Sequence, residues 1–120
     1  MNRWVLLEHK ILCNNLIDIH YDFLLEDQLE CLTWKFQEIP LINKGFVAIG
    51  KQPNHRLVWL SRVEYKLSNN RGLVKRIDHG TFSYVFHKQD SQVLKIILNG
   101  KLLKGLLTID GNFCQLTKNN

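Results

Sequence analysis

The chain has 120 residues, 45% of them hydrophobic and 22% charged, which excludes a disordered, collagen-like or low-complexity polypeptide and fits one folded domain over 1–120. Sixteen Lys and Arg against eleven Asp and Glu leave a net charge of +5, a balance that favours an anionic partner such as nucleic acid. No apolar run approaches the roughly 20 residues of a membrane span, because Trp4 to Leu7 is broken at once by Glu8, His9 and Lys10, which also spoil a signal-peptide core. Cys13, Cys31 and Cys114 are odd in number and form no Cys-x-x-Cys pair. They predict reduced thiols in a cytoplasmic protein, not a disulfide framework or a zinc knuckle.

Apolar and β-branched runs bounded by turn residues predict short strands along most of the chain. The first covers Arg3 to Glu8, and Lys10 to Asp18, which does not alternate, is expected to loop. Ile19 to Leu25 forms the second strand, turned by Glu26-Asp27-Gln28 into a third over Leu29 to Phe36. Ile39 to Arg62, cut by Pro40 and Pro53, reads as loop, with a helical turn expected at Arg56 to Ser61. After the turn residues Ser68-Asn69-Asn70-Arg71-Gly72, strands are expected over Leu73 to Ile77 and Thr81 to His87, separated by a turn at Asp78-His79-Gly80. Val93 to Leu98, Lys101 to Ile109 and Phe113 to Leu116 complete the set. Their connections, Asn99-Gly100 and Asp110-Gly111, are dipeptides that favour type I′ hairpin turns. The result is a mostly β fold with enough strand to close a small antiparallel β-barrel, and closure removes exposed edges. The Lys118-Asn119-Asn120 tail is expected to fray.

Candidate chemistry centres on His20-Tyr21-Asp22, because a strand repeats every two residues and so points His20 and Asp22 to one face. An imidazole and a carboxylate so placed can share one divalent cation, and Mn²⁺, Zn²⁺ and Fe²⁺ all accept such donors. The alternative is a hydrogen-bonded His beside a solvated Asp. His9, at the end of the first strand, becomes a third ligand if a neighbouring strand carries it beside His20. His55 follows Pro53-Asn54 in a segment read as loop, where functional groups are often presented; His79 and His87 read as surface residues. Lys75 and Arg76 diverge to opposite faces, and Arg71, Lys101 or Lys104 can join either one in a phosphate-binding stripe. Trp34 and Trp59 read as core residues and not as base-stacking platforms. Phosphate loops, Gly-x-Ser-x-Gly elbows and dinucleotide fingerprints are absent from the sequence, so those enzyme classes drop out.

In order along the chain come Trp4-Val5-Leu6-Leu7-Glu8-His9, His20-Tyr21-Asp22-Phe23-Leu24-Leu25-Glu26-Asp27, Leu32-Thr33-Trp34 and His55-Arg56-Leu57. Ser68-Asn69-Asn70-Arg71-Gly72, Val74-Lys75-Arg76-Ile77-Asp78-His79-Gly80-Thr81-Phe82 and Leu102 to Leu107 follow. This series resembles, nearly end to end, the 3′-phosphoesterase module of bacterial and archaeal DNA polymerase/ligase D proteins, and above all its short stand-alone relatives. The resemblance implies a small antiparallel barrel flanked by one or two short helices. It also implies a Mn²⁺ site that trims damaged 3′ ends in double-strand-break repair by non-homologous end joining. The family removes a 3′-terminal ribonucleotide and then the 3′-phosphate.

By the same resemblance His9, His20 and Asp22 bind the metal, and His55 contacts the reacting phosphate. The implied partners are DNA 3′ ends or a primer-template, with a separate ligase or polymerase as a further candidate and no membrane. Three departures stand out. The spacing from His9 to His20 is longer than in the family, with Lys10 to Ile19 as an insertion. Leu24 and Val47 stand where the long repair enzymes carry phosphate-contacting arginines. Losing guanidinium clamps would weaken transition-state stabilisation, so the alternative function is a catalytically degenerate basic barrel that binds nucleic acid or a repair partner. A third reading, a two-His-one-carboxylate iron oxygenase, needs a longer chain than this one.

Overall fold

The computed structural model describes residues 2–68, 71–88 and 90–119. Among them the fold is mostly β, built from β1 (Arg3–Cys13), β2 (Leu16–Asp27), β3 (Glu30–Phe36), β4 (Val47–Arg56), β5 (Glu64–Lys66), β6 (Leu73–His87), β7 (Val93–Asn99), β8 (Lys104–Asp110) and β9 (Phe113–Thr117). All pair antiparallel in one sheet of order β1-β2-β3-β4-β9-β8-β7-β6-β5. The long β6 closes it, pairing with β7 from Thr81 to His87 and with β1 from Leu73 to Thr81. Every described strand except β5 therefore lies in a ring, and β5 adds a short piece along the other edge of β6.

Alternation along each strand fills the ring with Trp4, Leu6, Phe23, Trp34, Phe36 and Leu107, with Phe23 and Phe36 stacked at 5.3 Å. The outer face is apolar as well where residues 57–67 cross it. Val5, Leu7, Leu24, Cys31 and Val74 are buried there under Leu60, with Leu57, Trp59 and Leu67 packed beside them. This second cluster explains why β1 and β2 contain unbroken apolar runs: strands covered on both sides lose the polar half of the alternation.

The structure corrects several sequence-based expectations. Lys10 to Asp18 is not a loop; β1 continues to Cys13, β2 starts at Leu16, and Asn14 and Asn15 turn between them at φ 51° and 64°. Paired positive φ is the requirement of a type I′ turn, and asparagine tolerates it. Ile39 to Arg62 also contains a strand, β4, in which Pro53 sits beside an irregularity in the pairing with β3. The expected turn at Asp78-His79-Gly80 is absent, since β6 runs straight through it. Gly80 serves close approach instead: a Cβ there would meet the Asn99 carbonyl of β7 and the Trp4 ring of β1.

The Asn99-Gly100 hairpin exists, but its loop spans 100–103 and wraps the Asp78 carboxylate. Asp78 accepts hydrogen bonds from the backbone N–H groups of His79, Lys101, Leu102 and Leu103 at 2.8 to 3.1 Å. The last hairpin turns at Gly111-Asn112, one step later than expected, with Gly111 at φ 60°. The helical structure among the described residues is one 3₁₀ turn, Leu57–Leu60, so the flanking short helices reduce to that turn inside the expected Arg56 to Ser61 stretch. Asn69 and Asn70 of the expected turn, and Asn120 of the tail, lie outside the described residues. No described helix is long and apolar enough to cross a membrane.

Candidate metal centre

Residues 10–19 form the distal half of the β1–β2 hairpin, which pairs His9 directly with His20. The register runs unbroken from Asn14-Asn15 back past this pair, so the alternation is kept and both imidazoles lie on one face. That face is the outer one, shared with Leu7 and Leu24, and it also carries Asp22. His9 Nδ1 lies 3.2 Å from His20 Nε2, His20 Nε2 lies 3.3 Å from Asp22 Oδ1, and His9 Nδ1 lies 4.0 Å from Asp22 Oδ2. Donors bound to one metal at about 2.0–2.2 Å stand roughly 3 to 3.5 Å apart, so two of the three separations have coordination spacing.

Hydrogen bonding sets the nitrogens up for that role. His9 Nε2 is 2.7 Å from the Arg71 carbonyl and donates to it, which leaves Nδ1 with a lone pair directed at His20. His20 is 9% exposed, and its Nδ1 is buried with no hydrogen-bond partner among the described residues. If His20 carries its proton on Nδ1, two bare nitrogens face each other at 3.2 Å, an arrangement that a shared cation relieves. Burial lowers the His20 pKa, with Asp22 opposing and His9 and Lys35 reinforcing, so the net shift is downward. The neutral imidazole, the form that ligates metals, is thereby favoured.

A hollow of about 200 Å³ adjoins the cluster, lined by His9, Asp22, His55, Trp59 and Arg71 among others. His55 reaches it from β4, opposite Cys31, where the β3–β4 register slips. Its Nδ1 lies 3.2 Å from the Pro53 carbonyl, and its ring meets Trp59 edge-on with centroids 6.4 Å apart. Arg71 bonds through its guanidinium to the Ser68 carbonyl and hydroxyl at 3.1 and 3.2 Å. Lys35, absent from the sequence-based candidates, pairs across the strands with Asp22 and acts on His20 electrostatically. Only the register reveals it.

Other expected residues fall elsewhere. Lys75 lies between Glu8 of β1 and Glu64 of β5, and Arg76 borders a different hollow with Asp78 and Lys101, so Arg71 alone of the three cations lines the hollow beside His9. Val47 is buried in the ring interior, so an arginine at that position would not face His55 from the outer side. Leu24 is fully buried in the outer cluster. Trp34 is in the core, Trp59 is partly buried, and His79 and His87 are exposed. No protein-family model matches this chain, and no curated protein matches it.

Proposed function

We propose that this chain is a divalent-cation-dependent phosphoesterase that trims 3′-blocked DNA ends, removing a 3′-terminal ribonucleotide or a 3′-phosphate. The observation that carries the reading is the convergence of His9 Nδ1, His20 Nε2 and the Asp22 carboxylate within 4.8 Å of one another, beside a hollow that His55 and Arg71 also line. The donors are two nitrogens and one carboxylate, gathered at spacings close to those of a shared coordination shell, so the residues fit a cation. Mn²⁺ is the proposed ion, with Zn²⁺ an acceptable substitute. The chemistry such an ion supplies is polarisation of a phosphoryl oxygen and acidification of bound water.

The chain's own residues do the rest. Asp22 balances charge, and the Arg71 carbonyl fixes the His9 tautomer. His55 stands outside the donor cluster, where it can give a hydrogen bond or a proton to a phosphate in the hollow. Arg71, Lys75 and Arg76 would contact DNA phosphates without reading bases. The closed ring is read as a small barrel, at work in the cytoplasm, with a separate ligase or polymerase acting on the ends it cleans.

A degenerate barrel that binds nucleic acid or a repair partner is the second reading, favoured by Leu24: it is fully buried where the long repair enzymes carry a phosphate-contacting arginine. The test is Mn²⁺ calorimetry with release of phosphate from a 3′-phosphorylated primer-template, for wild type, Asp22→Ala and His55→Ala. Wild type is expected to bind Mn²⁺ and turn over. Asp22→Ala loses both, and His55→Ala loses turnover with metal affinity unchanged. Metal and DNA binding without turnover would move the conclusion to the second reading.

A further inference from the structure

A larger cavity, about 640 Å³ against about 200 Å³ for the hollow beside His9, lies elsewhere and shares no lining residue with it. It exists because β9 pairs with β4 only at Val47 and Ala48. The last backbone bond across that seam runs from the Ile49 N–H to the Asn112 carbonyl at 2.8 Å. Beyond it the second edge of β4 separates from the β8–β9 turn, and the gap opens onto the interior of the ring. Its floor is apolar and well packed: Trp34, Leu94 and Ile109 are all buried core residues, and Leu32 is half-buried beside them.

One cation stands at this apolar floor. Lys51 Nζ lies 5.3 Å from the Trp34 ring centre and donates to two neutral oxygens, the Gln52 carbonyl at 2.7 Å and Asn54 Oδ1 at 3.4 Å. No ion pair to Lys51 is found among the described residues. Asp110 and His87 also border the cleft, both solvent-exposed, and Asp110 makes no ion pair with Lys51 among the described residues. Ser91 and Gln92 supply neutral polar groups on the rim. An aromatic and aliphatic floor, the Lys51 ammonium over Trp34, and a few polar groups with the exposed Asp110 carboxylate on the rim, in several hundred Å³, is the composition of a small-molecule site.

We infer that this cleft binds a small organic anion with a planar apolar body, its charge beside Lys51 and its body on Trp34, Leu94 and Ile109. Partial desolvation by the neighbouring side chains holds the Lys51 pKa below the ordinary lysine value although the residue is exposed, and a bound negative charge would offset that loss of hydration. The ligand body would replace water over apolar side chains and leave the Lys51–Trp34 contact in place. This inference does not depend on the phosphoesterase reading, because the metal-binding side chains lie on the outer face and the cavity floor on the inner one.

The full chain is titrated by calorimetry with 1-naphthoate and, as its neutral counterpart, 1-naphthylmethanol. Wild type is expected to prefer naphthoate by about tenfold, the value of one added charge contact. Lys51→Gln should bring the two affinities together and Lys51→Glu should reverse the preference; Lys51 is exposed enough that neither substitution removes core packing. Leu32→Trp, which fills the floor, should weaken both probes, and Asp22→Ala should leave naphthoate binding unchanged. Absence of naphthoate binding, equal affinities in wild type, or indifference to Lys51→Glu or to Leu32→Trp would overturn the inference. Loss of binding in Asp22→Ala would overturn its separateness from the metal centre.

Discussion

His9 and His20 face each other across the first two strands with Nδ1 of one 3.2 Å from Nε2 of the other, while the remaining nitrogen of His9 is held by the Arg71 carbonyl at 2.7 Å. The main chain after the 57–67 crossing therefore fixes the tautomer of a residue sixty-two positions earlier. A cation between the two rings would bind only the folded chain, since the unfolded chain does not hold these donors together.

Mn²⁺ should accordingly raise thermal stability. At a free concentration a hundredfold above the dissociation constant the gain is about 2.7 kcal/mol, and Asp22→Ala should abolish it. Thermal unfolding of both proteins over a Mn²⁺ series checks this; an equal rise in the mutant would place the ion elsewhere.

Register predicts what the hairpin extension tolerates. Deleting Leu12, Cys13, Leu16 and Ile17 removes two cross-strand pairs and brings Ile11 and Asp18 to the Asn14-Asn15 turn. Faces are preserved, so Mn²⁺ affinity should stay within about threefold of wild type. Deleting Leu12 alone shifts the strand by one residue, turns His9 away from Asp22 or forces a bulge, and should cost metal affinity by at least about tenfold. Calorimetry on the two deletions separates the outcomes.

Asp78 predicts an acid limit. Burial raises its pKa, but the backbone N–H groups of Leu103, Lys101, Leu102 and His79 outweigh that, and the folded value lies below the ordinary 3.8. A depressed carboxylate pKa contributes stability that is present above the unfolded value and disappears as pH falls through the folded one. Asp78→Asn directs an amide NH₂ at these donors and should cost about 3 kcal/mol at neutral pH. The mutant should also lose part of the decline in stability below pH 4 seen in wild type. Urea unfolding across pH measures both.

The thiols should divide sharply. Burial pushes the Cys31 thiol to about 11 and the Cys114 thiol to about 12, while Cys13 is exposed near the hairpin tip. One thiol per chain should react with a disulfide reagent under native conditions, and all three after unfolding. Peptide mapping of the native product should find the label on Cys13.

Local chemistry was legible without the fold. Two-residue spacing puts His20 and Asp22 on one face whatever surrounds them, and β-branched runs between turn residues predict most strands. Even the Asn14-Asn15 pair carries its own signal, because two asparagines that accept positive φ can close a tight hairpin; the flanking residues, apolar on both sides, do not alternate and so mask it. Asp78-His79-Gly80 misled for a different reason. Its residues suit a turn, yet the glycine answers to crowding by Trp4 and Asn99 and the aspartate to a loop more than twenty residues away.

A mostly β chain carrying a His-x-Asp pair can be read from the residues in order, because alternation and turn chemistry act over a few positions. Tertiary structure alone decided that His9 completes that pair, that His55 and Arg71 join the same hollow, and that Val47 turns inward. Each of those facts depends on which strand lies beside which and in what register. Pairing energy is spread over whole strands and over the packing of 57–67 on the outer face, so no local run of residues encodes it.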